Sequence, residues 1–133
     1  MKYRKTIQVV VVIMADEELT KAFQEMQMKL VETTTKLNFA DQQINEHHKR
    51  LTYFELAQKE LATLHPLTNM FDGYGRMFVK VSKDDVMTII NEKKGASVDK
   101  IKGLKNNQEL LRRNMKEAEC NLRELVAAKQ RSR

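Results

Sequence analysis

From Leu19 onward the apolar residues of this chain return at alternating intervals of four and three, and no glycine or proline interrupts them before Pro66. The positions are Leu19, Phe23, Met26, Leu30, Thr33, Leu37, Ala40, Ile44, His47, Leu51, Phe54, Gln58, Leu61 and His65, and ten of these fourteen are apolar. Such spacing is a coiled-coil seam sustained for about six heptads. It predicts one helix from about Asp16 to Leu64, on the order of 70 Å long at 1.5 Å per residue. A chain that commits so much of itself to one narrow stripe has little left for a central core. Its composition agrees, with 32% charged residues, 6% aromatics, one proline and no tryptophan among 133 residues.

The second half repeats the pattern through Ile101, Leu104, Gln108, Leu111, Met115, Ala118, Leu122 and Leu125, where seven of eight are apolar. Traced backwards, the stripe passes less cleanly through Val98, Ile90, Met87 and Val86, near Gly95 and beyond Gly103, and each glycine weakens an exposed helix by about 1 kcal/mol relative to alanine. A helix from about Lys83 to Ala128 is expected. Its start carries the capping pattern Ser82-Lys83-Asp84-Asp85, in which the Ser82 hydroxyl accepts from the Asp85 amide and the acids sit at the positive end of the helix. Lys129, Arg131 and Arg133 place cations at its negative end. Two matched amphipathic helices pack most simply as an antiparallel pair. That pairing buries one seam only and is marginal for a lone chain.

Between the helices the rhythm stops at MFDGYGRMFVKV, Met70 to Val81. The alternation of Met77-Phe78-Val79-Lys80-Val81 suits a strand, a second strand fits Met70 to Tyr74, and Gly75 supplies a tight turn. The connection as a whole covers about residues 68–81. A two-stranded hairpin is not stable alone in water, and its unpaired edges invite other strands. Alternation puts Met77, Val79 and Val81 on one face and Phe78 and Lys80 on the other, so at least one face needs covering. The economical solution is that several chains pool their hairpins into one sheet or barrel.

The first residues, MKYRKTIQVVVVIM, have a basic start and an apolar run from Val9 to Met14. They imitate a signal peptide poorly: the run is short, no small-x-small site follows, and Asp16-Glu17-Glu18 come directly after. The run is also too short to span a bilayer as a helix. Residues 1–13 read as an extension outside the working fold.

Several stretches carry a resemblance to a known family. Thr68-Asn69-Met70-Phe71-Asp72-Gly73-Tyr74-Gly75-Arg76-Met77-Phe78, then Ser82-Lys83, between two long coils, resembles the β-type subunits of the prefoldin family. Leu19-Thr20-Lys21-Ala22-Phe23, Lys116-Glu117-Ala118-Glu119 and Asn121-Leu122-Arg123-Glu124 are similar to the same subunits, so the resemblance runs from Met14 to Arg133. Residues 1–13 depart from it. The resemblance implies a mostly α fold, a long antiparallel two-helix coiled coil with a central β-hairpin that joins an intersubunit β-barrel. It further implies a cytoplasmic heterohexamer of α-type and β-type subunits that holds unfolded polypeptides such as actin and tubulin at the coil tips. The hexamer works without ATP and delivers its clients to the cytosolic chaperonin.

On this reading the client-binding tip comprises Leu19, Phe23 and Met26 from the first helix and Leu122, Leu125 and Val126 from the second. The same residues continue the seam and can equally pack against one another. Methionine suits a promiscuous surface because it is flexible and polarizable. Subunit assembly falls to Phe71, Tyr74, Met77, Phe78, Val79 and Val81, with an internal mini-core against the helices as the competing role.

Other functions find little support in the residues. His47 and His48 are adjacent, so they point about 100° apart on a helix, without a third ligand at metal spacing. Gly73-x-Gly75 lacks the remaining elements of a phosphate loop. Cys120 is the only cysteine, which excludes a disulfide within the chain. The net charge of +6 owes three charges to Lys2, Arg4 and Lys5, and the remaining cations interleave with acids as on a solvated coil surface. No catalytic residues, cofactor, metal or membrane contact is expected, and nucleic-acid binding is disfavoured. The alternative to client holding is a structural or tethering coiled-coil protein.

Overall fold

The computed structural model describes residues 16–132. The reading of residues 1–13 as an extension, and the apolar run from Val9 to Met14, lie outside or at the edge of the described residues. Helix α1 spans Glu17–Ala62, strands β1 and β2 span Met70–Tyr74 and Met77–Val81, and helix α2 spans Lys83–Arg131. The chain is therefore two long helices with a short antiparallel hairpin between them. No helix among the described residues is long and apolar enough to cross a membrane.

Each boundary has a local cause. Asp16 caps α1, its carboxylate Oδ1 accepting from the Glu18 amide at 3.0 Å. α1 ends ahead of Pro66, where Thr63 and Leu64 turn back onto the carbonyls of Glu60 and Leu61. The freed Leu64 carbonyl accepts from Lys83 Nζ at 3.0 Å, which ties the end of α1 to the start of α2. Ser82 Oγ accepts from the Asp85 amide at 3.2 Å, as the capping pattern predicts.

The helices contribute to two compact units. In one, made of residues 16–39 and 106–132, Leu19 packs against Val126 and Gln108 Nε2 donates to the Leu37 carbonyl at 3.3 Å, so the two helical segments run antiparallel. In the other, Ala40–Lys105, Gln58 meets Asn91 and Lys94, with Lys94 Nζ donating to Gln58 Oε1 at 3.1 Å. Here too the segments run in opposite directions.

The seam residues are the ones withdrawn from solvent. Along α1 every seam position from Leu19 to Leu61 is buried or half-buried except Leu30, and along α2 all eight from Ile101 to Leu125 are. The backward continuation of the α2 stripe differs from the sequence expectation at one place. Val98 is 50% exposed, and the seam instead passes through buried Ser97 and half-buried Lys94 to Ile90 and Met87. Counting back from Ile101 by four and three reaches those two positions. A strict heptad thus overrides hydrophobicity here, and Lys94 is tolerated because Gln58 accepts its proton.

His47 occupies a seam position, is half-buried, and its Nδ1 has no hydrogen-bond partner. A buried polar atom left unpaired costs about 1 kcal/mol or more. His47→Leu, which keeps the seam apolar and removes that atom, is expected to stabilise the chain by about 1 kcal/mol. Urea denaturation followed by circular dichroism would read this as a higher midpoint, and a lower midpoint would contradict it.

Candidate functional site: the exposed hairpin and the terminal-turn cluster

The hairpin pairs Met70 with Val81, Phe71 with Lys80, Asp72 with Val79, Gly73 with Phe78 and Tyr74 with Met77. Gly75 has φ +63° and Arg76 a negative φ, which matches the two-residue turn with glycine first that suits the twist of antiparallel strands. Cross-strand partners share a face, so Met70, Val81, Asp72, Val79, Tyr74 and Met77 lie on one side. Phe71, Lys80, Gly73 and Phe78 lie on the other.

Only one cross-strand pair turns inward: Met70 is buried and Val81 half-buried. Phe71, Tyr74, Met77, Phe78 and Val79 are all exposed, Phe78 at 72%. Both faces therefore carry uncovered apolar side chains, one more than the sequence requires. An internal mini-core is limited to Met70 and Val81. The Phe78 ring lies over Gly73, where an added Cβ would sit 3.6 Å from it. The Asp72 carboxylate accepts the Tyr74 hydroxyl proton and raises that phenol above its ordinary 10.0, which keeps Tyr74 neutral. Beside β1, Phe71 also lines a shallow groove of about 200 Å³ with Tyr53, Phe54, Ile89 and Ile90.

The second group lies where the first turns of α1 meet the last turns of α2. Leu19 is fully buried against Val126, and Phe23 and Leu125 pack on that pair. Each large side chain so withdrawn contributes about 2 kcal/mol. Met26 and Leu122, half-buried, line an apolar groove of about 430 Å³ together with Phe23, Leu30, Val126 and Ala127. All six residues named from the sequence for this region are thus brought together. Four form a packed cluster, and Met26 and Leu122 join Phe23 and Val126 along the groove. Leu30, 47% exposed, and Ala127 complete the wall. Leu30 is a seam residue, and its partial exposure could not be told from spacing alone.

A charged clasp closes the cluster. Lys129 Nζ lies 3.1 Å from Asp16 Oδ2 and 2.7 Å from Glu18 Oε2, while the other oxygen of Asp16 caps α1. The sequence marks Lys129 only as a helix-end cation; the missing signal is which acids the antiparallel register brings opposite it. Hydrogen bonding to Lys129 holds the Asp16 carboxyl below its ordinary 3.8, and the two carboxylates hold the Lys129 ammonium above its ordinary 10.5.

A depressed carboxyl favours the closed cluster at pH values above its unfolded pKa, and that contribution is lost as pH falls through the still lower folded value. A raised ammonium contributes below its unfolded pKa and is lost as pH rises past the folded value. The clasp is therefore expected to hold from about pH 5 to about pH 10 and to weaken outside that window and in high salt. Methyl NMR signals of Leu19 and Val126 would report it. They should shift together in acid, and Lys129→Gln should remove the acid-induced shift; a shift that persists in Lys129→Gln would contradict the clasp.

Comparison with known proteins places both surfaces in context. The family profile described as Prefoldin subunit matches residues 24–129. The chain is 40% identical over 114 residues to Prefoldin subunit 1 of Homo sapiens, covering 86% of this chain and 93% of that protein. It is 39% identical over 114 residues to Prefoldin subunit 1 of Danio rerio, with the same coverage. Probable prefoldin subunit 1 of Caenorhabditis elegans is 29% identical over 116 residues, which is 87% of this chain and 99% of that one. In fold the chain is similar to the crystal structure of the prefoldin beta subunit from Thermococcus strain KS-1. The TM-score is 0.67 at 17% identity, over 84% of this chain and 94% of that chain.

Proposed function

The chain belongs to the prefoldin family, and from that premise we propose that it is a β-type subunit of a cytoplasmic heterohexamer that holds unfolded polypeptides without ATP. The observation that carries this reading is the hairpin: five exposed apolar residues on ten strand positions, on both faces, with unpaired edges. A lone chain gains nothing from that exposure. Pooled with the hairpins of α-type and β-type partners, the same residues become the interior of a shared barrel, which removes the edges altogether.

Client holding then falls to the terminal-turn cluster and its groove. Leu19, Phe23, Leu125 and Val126 supply apolar surface when the last turns fray, and Met26 and Leu122 offer an adaptable wall that is already open. Each contact is weak, and several arms acting on one client multiply it. The clients are unfolded proteins of the actin and tubulin class, passed on to the cytosolic chaperonin. The work is binding and release, and no catalytic group is needed for it.

Mixing the purified chain with α-type partner subunits tests this. A heterohexamer by native mass spectrometry that suppresses aggregation of a denatured protein without ATP is the expected result. A stable homodimer without that activity would instead favour a tethering coiled coil and overturn the proposal.

A further inference from the structure

Helix α1 carries a second stripe at heptad spacing that its own partner helix does not use. Gln24, Met28, Val31, Thr35 and Asn38 follow one another at intervals of four, three, four and three, with Phe39 beside Asn38, and all are exposed. Met28 is 72%, Val31 67% and Phe39 60% exposed. At about 100° per residue this stripe lies roughly opposite the seam of Phe23, Met26, Leu30, Thr33 and Leu37. Charge is absent from it. The nearest acid, Glu32, is neutralised by Lys36 at 2.7 Å, and Gln27 and Thr34 border the other side. Nor does Thr35 leave an unmet donor, since its hydroxyl donates to the Val31 carbonyl at 2.9 Å.

We propose that this second stripe receives an amphipathic helix from the coil of a neighbouring subunit within the same assembly. The spacing argues for a helix: intervals of four and three match the repeat of a partner that supercoils on α1, whereas an extended chain presents alternate side chains and gains nothing from a heptad. Its area argues for a tethered partner. Three large apolar side chains offer a few hundred Å², well short of the roughly 1,200 Å² that a specific free-standing interface buries. Such a contact forms only where the assembly already holds the two coils at an effective concentration in the millimolar range. The partner helix presents uncharged residues, because no charge on the stripe is free to meet one.

This inference rests on the hexameric reading above, so particle mass and contact are measured separately. A benzoylphenylalanine photo-crosslinker replaces Val31, an exposed position, in chains reconstituted with α-type partners and without client. Native mass spectrometry establishes the hexamer, and irradiation is expected to link position 31 to a helical residue of an adjacent subunit. The same probe at Glu117, exposed on α2, serves as the background. Met28→Lys with Phe39→Lys, both surface changes that retain helicity, should cut the yield about tenfold while the hexamer persists. An intact hexamer with no intersubunit link at position 31, or with links appearing only after denatured client is added, overturns the proposal. The second of these results would make the stripe a client surface. Failure to form any hexamer overturns the assembly reading itself.

Discussion

Phe78→Asp together with Val79→Asp is expected to give a helical chain that no longer assembles with its partners. Both residues are exposed, so neither substitution opens a cavity, and α1 and α2 keep their seams. The effect falls on the pooled sheet. Phe78 and Val79 are adjacent on β2 and point to opposite faces, so whichever face a barrel turns inward acquires a carboxylate. A buried, unpaired charge costs several kcal/mol, enough to raise the dissociation constant more than about a thousandfold. Position 79 adds repulsion, because its cross-strand partner is Asp72. Light scattering should return the mass of a free chain while far-ultraviolet circular dichroism is unchanged. An oligomer of undiminished mass would reject the shared sheet and return the hairpin to an ornament of its own helices.

How much of this architecture can be read in advance depends on how few alternatives each residue leaves. The hairpin is legible because Gly75 occupies a backbone conformation that other residues avoid, and because the strand alternation from Met77 to Val81 cannot be confused with the heptads around it. Ser82 and Asp85 mark the start of α2 by the geometry of one hydrogen bond. Val98 shows the opposite case. It is the apolar residue nearest the expected stripe, and hydrophobicity selects it, yet the register set by Ile101 buries Ser97 instead. Periodicity carries phase, and composition does not.

Among the candidate site residues, the sequence identifies which side chains are apolar and terminal, but not their division of labour. Leu19 and Val126 disappear into each other while Met26 and Leu122 line an open groove, because burial depends on which residue of α2 faces which residue of α1. That pairing is a property of two distant segments. The Lys129 clasp is hidden in the sequence for the same reason, since Asp16 and Glu18 become its partners only once the antiparallel register is known.

The division between packed cluster and open groove gives the second large effect. Met26→Gln, Leu30→Gln and Leu122→Gln in one chain are expected to reduce client holding by about tenfold in the assembled particle. Glutamine keeps helix propensity close to that of methionine and leucine, so the helices survive, and Leu19, Phe23, Leu125 and Val126 remain to close the terminal turns. What changes is the chemistry of the groove wall. Three flexible apolar side chains are replaced by amides that keep their water, and the transfer of a client's apolar residues into the groove loses about 1 kcal/mol at each position. Across several arms that loss compounds, because avidity multiplies the individual contacts. Aggregation suppression of a denatured protein, titrated against particle concentration, would show the curve moved to higher concentration with hexamer mass unaltered. The complementary variant sharpens the result. Leu19→Gln strikes the packed pair and should loosen the terminal turns, seen as lost methyl NMR contacts to Val126, while leaving the groove wall in place. If holding depends on the groove, the triple variant is the weaker chaperone of the two. Equal loss in both would shift the client contact to the frayed cluster itself, and full activity in the triple variant would move it away from this end of the helices altogether.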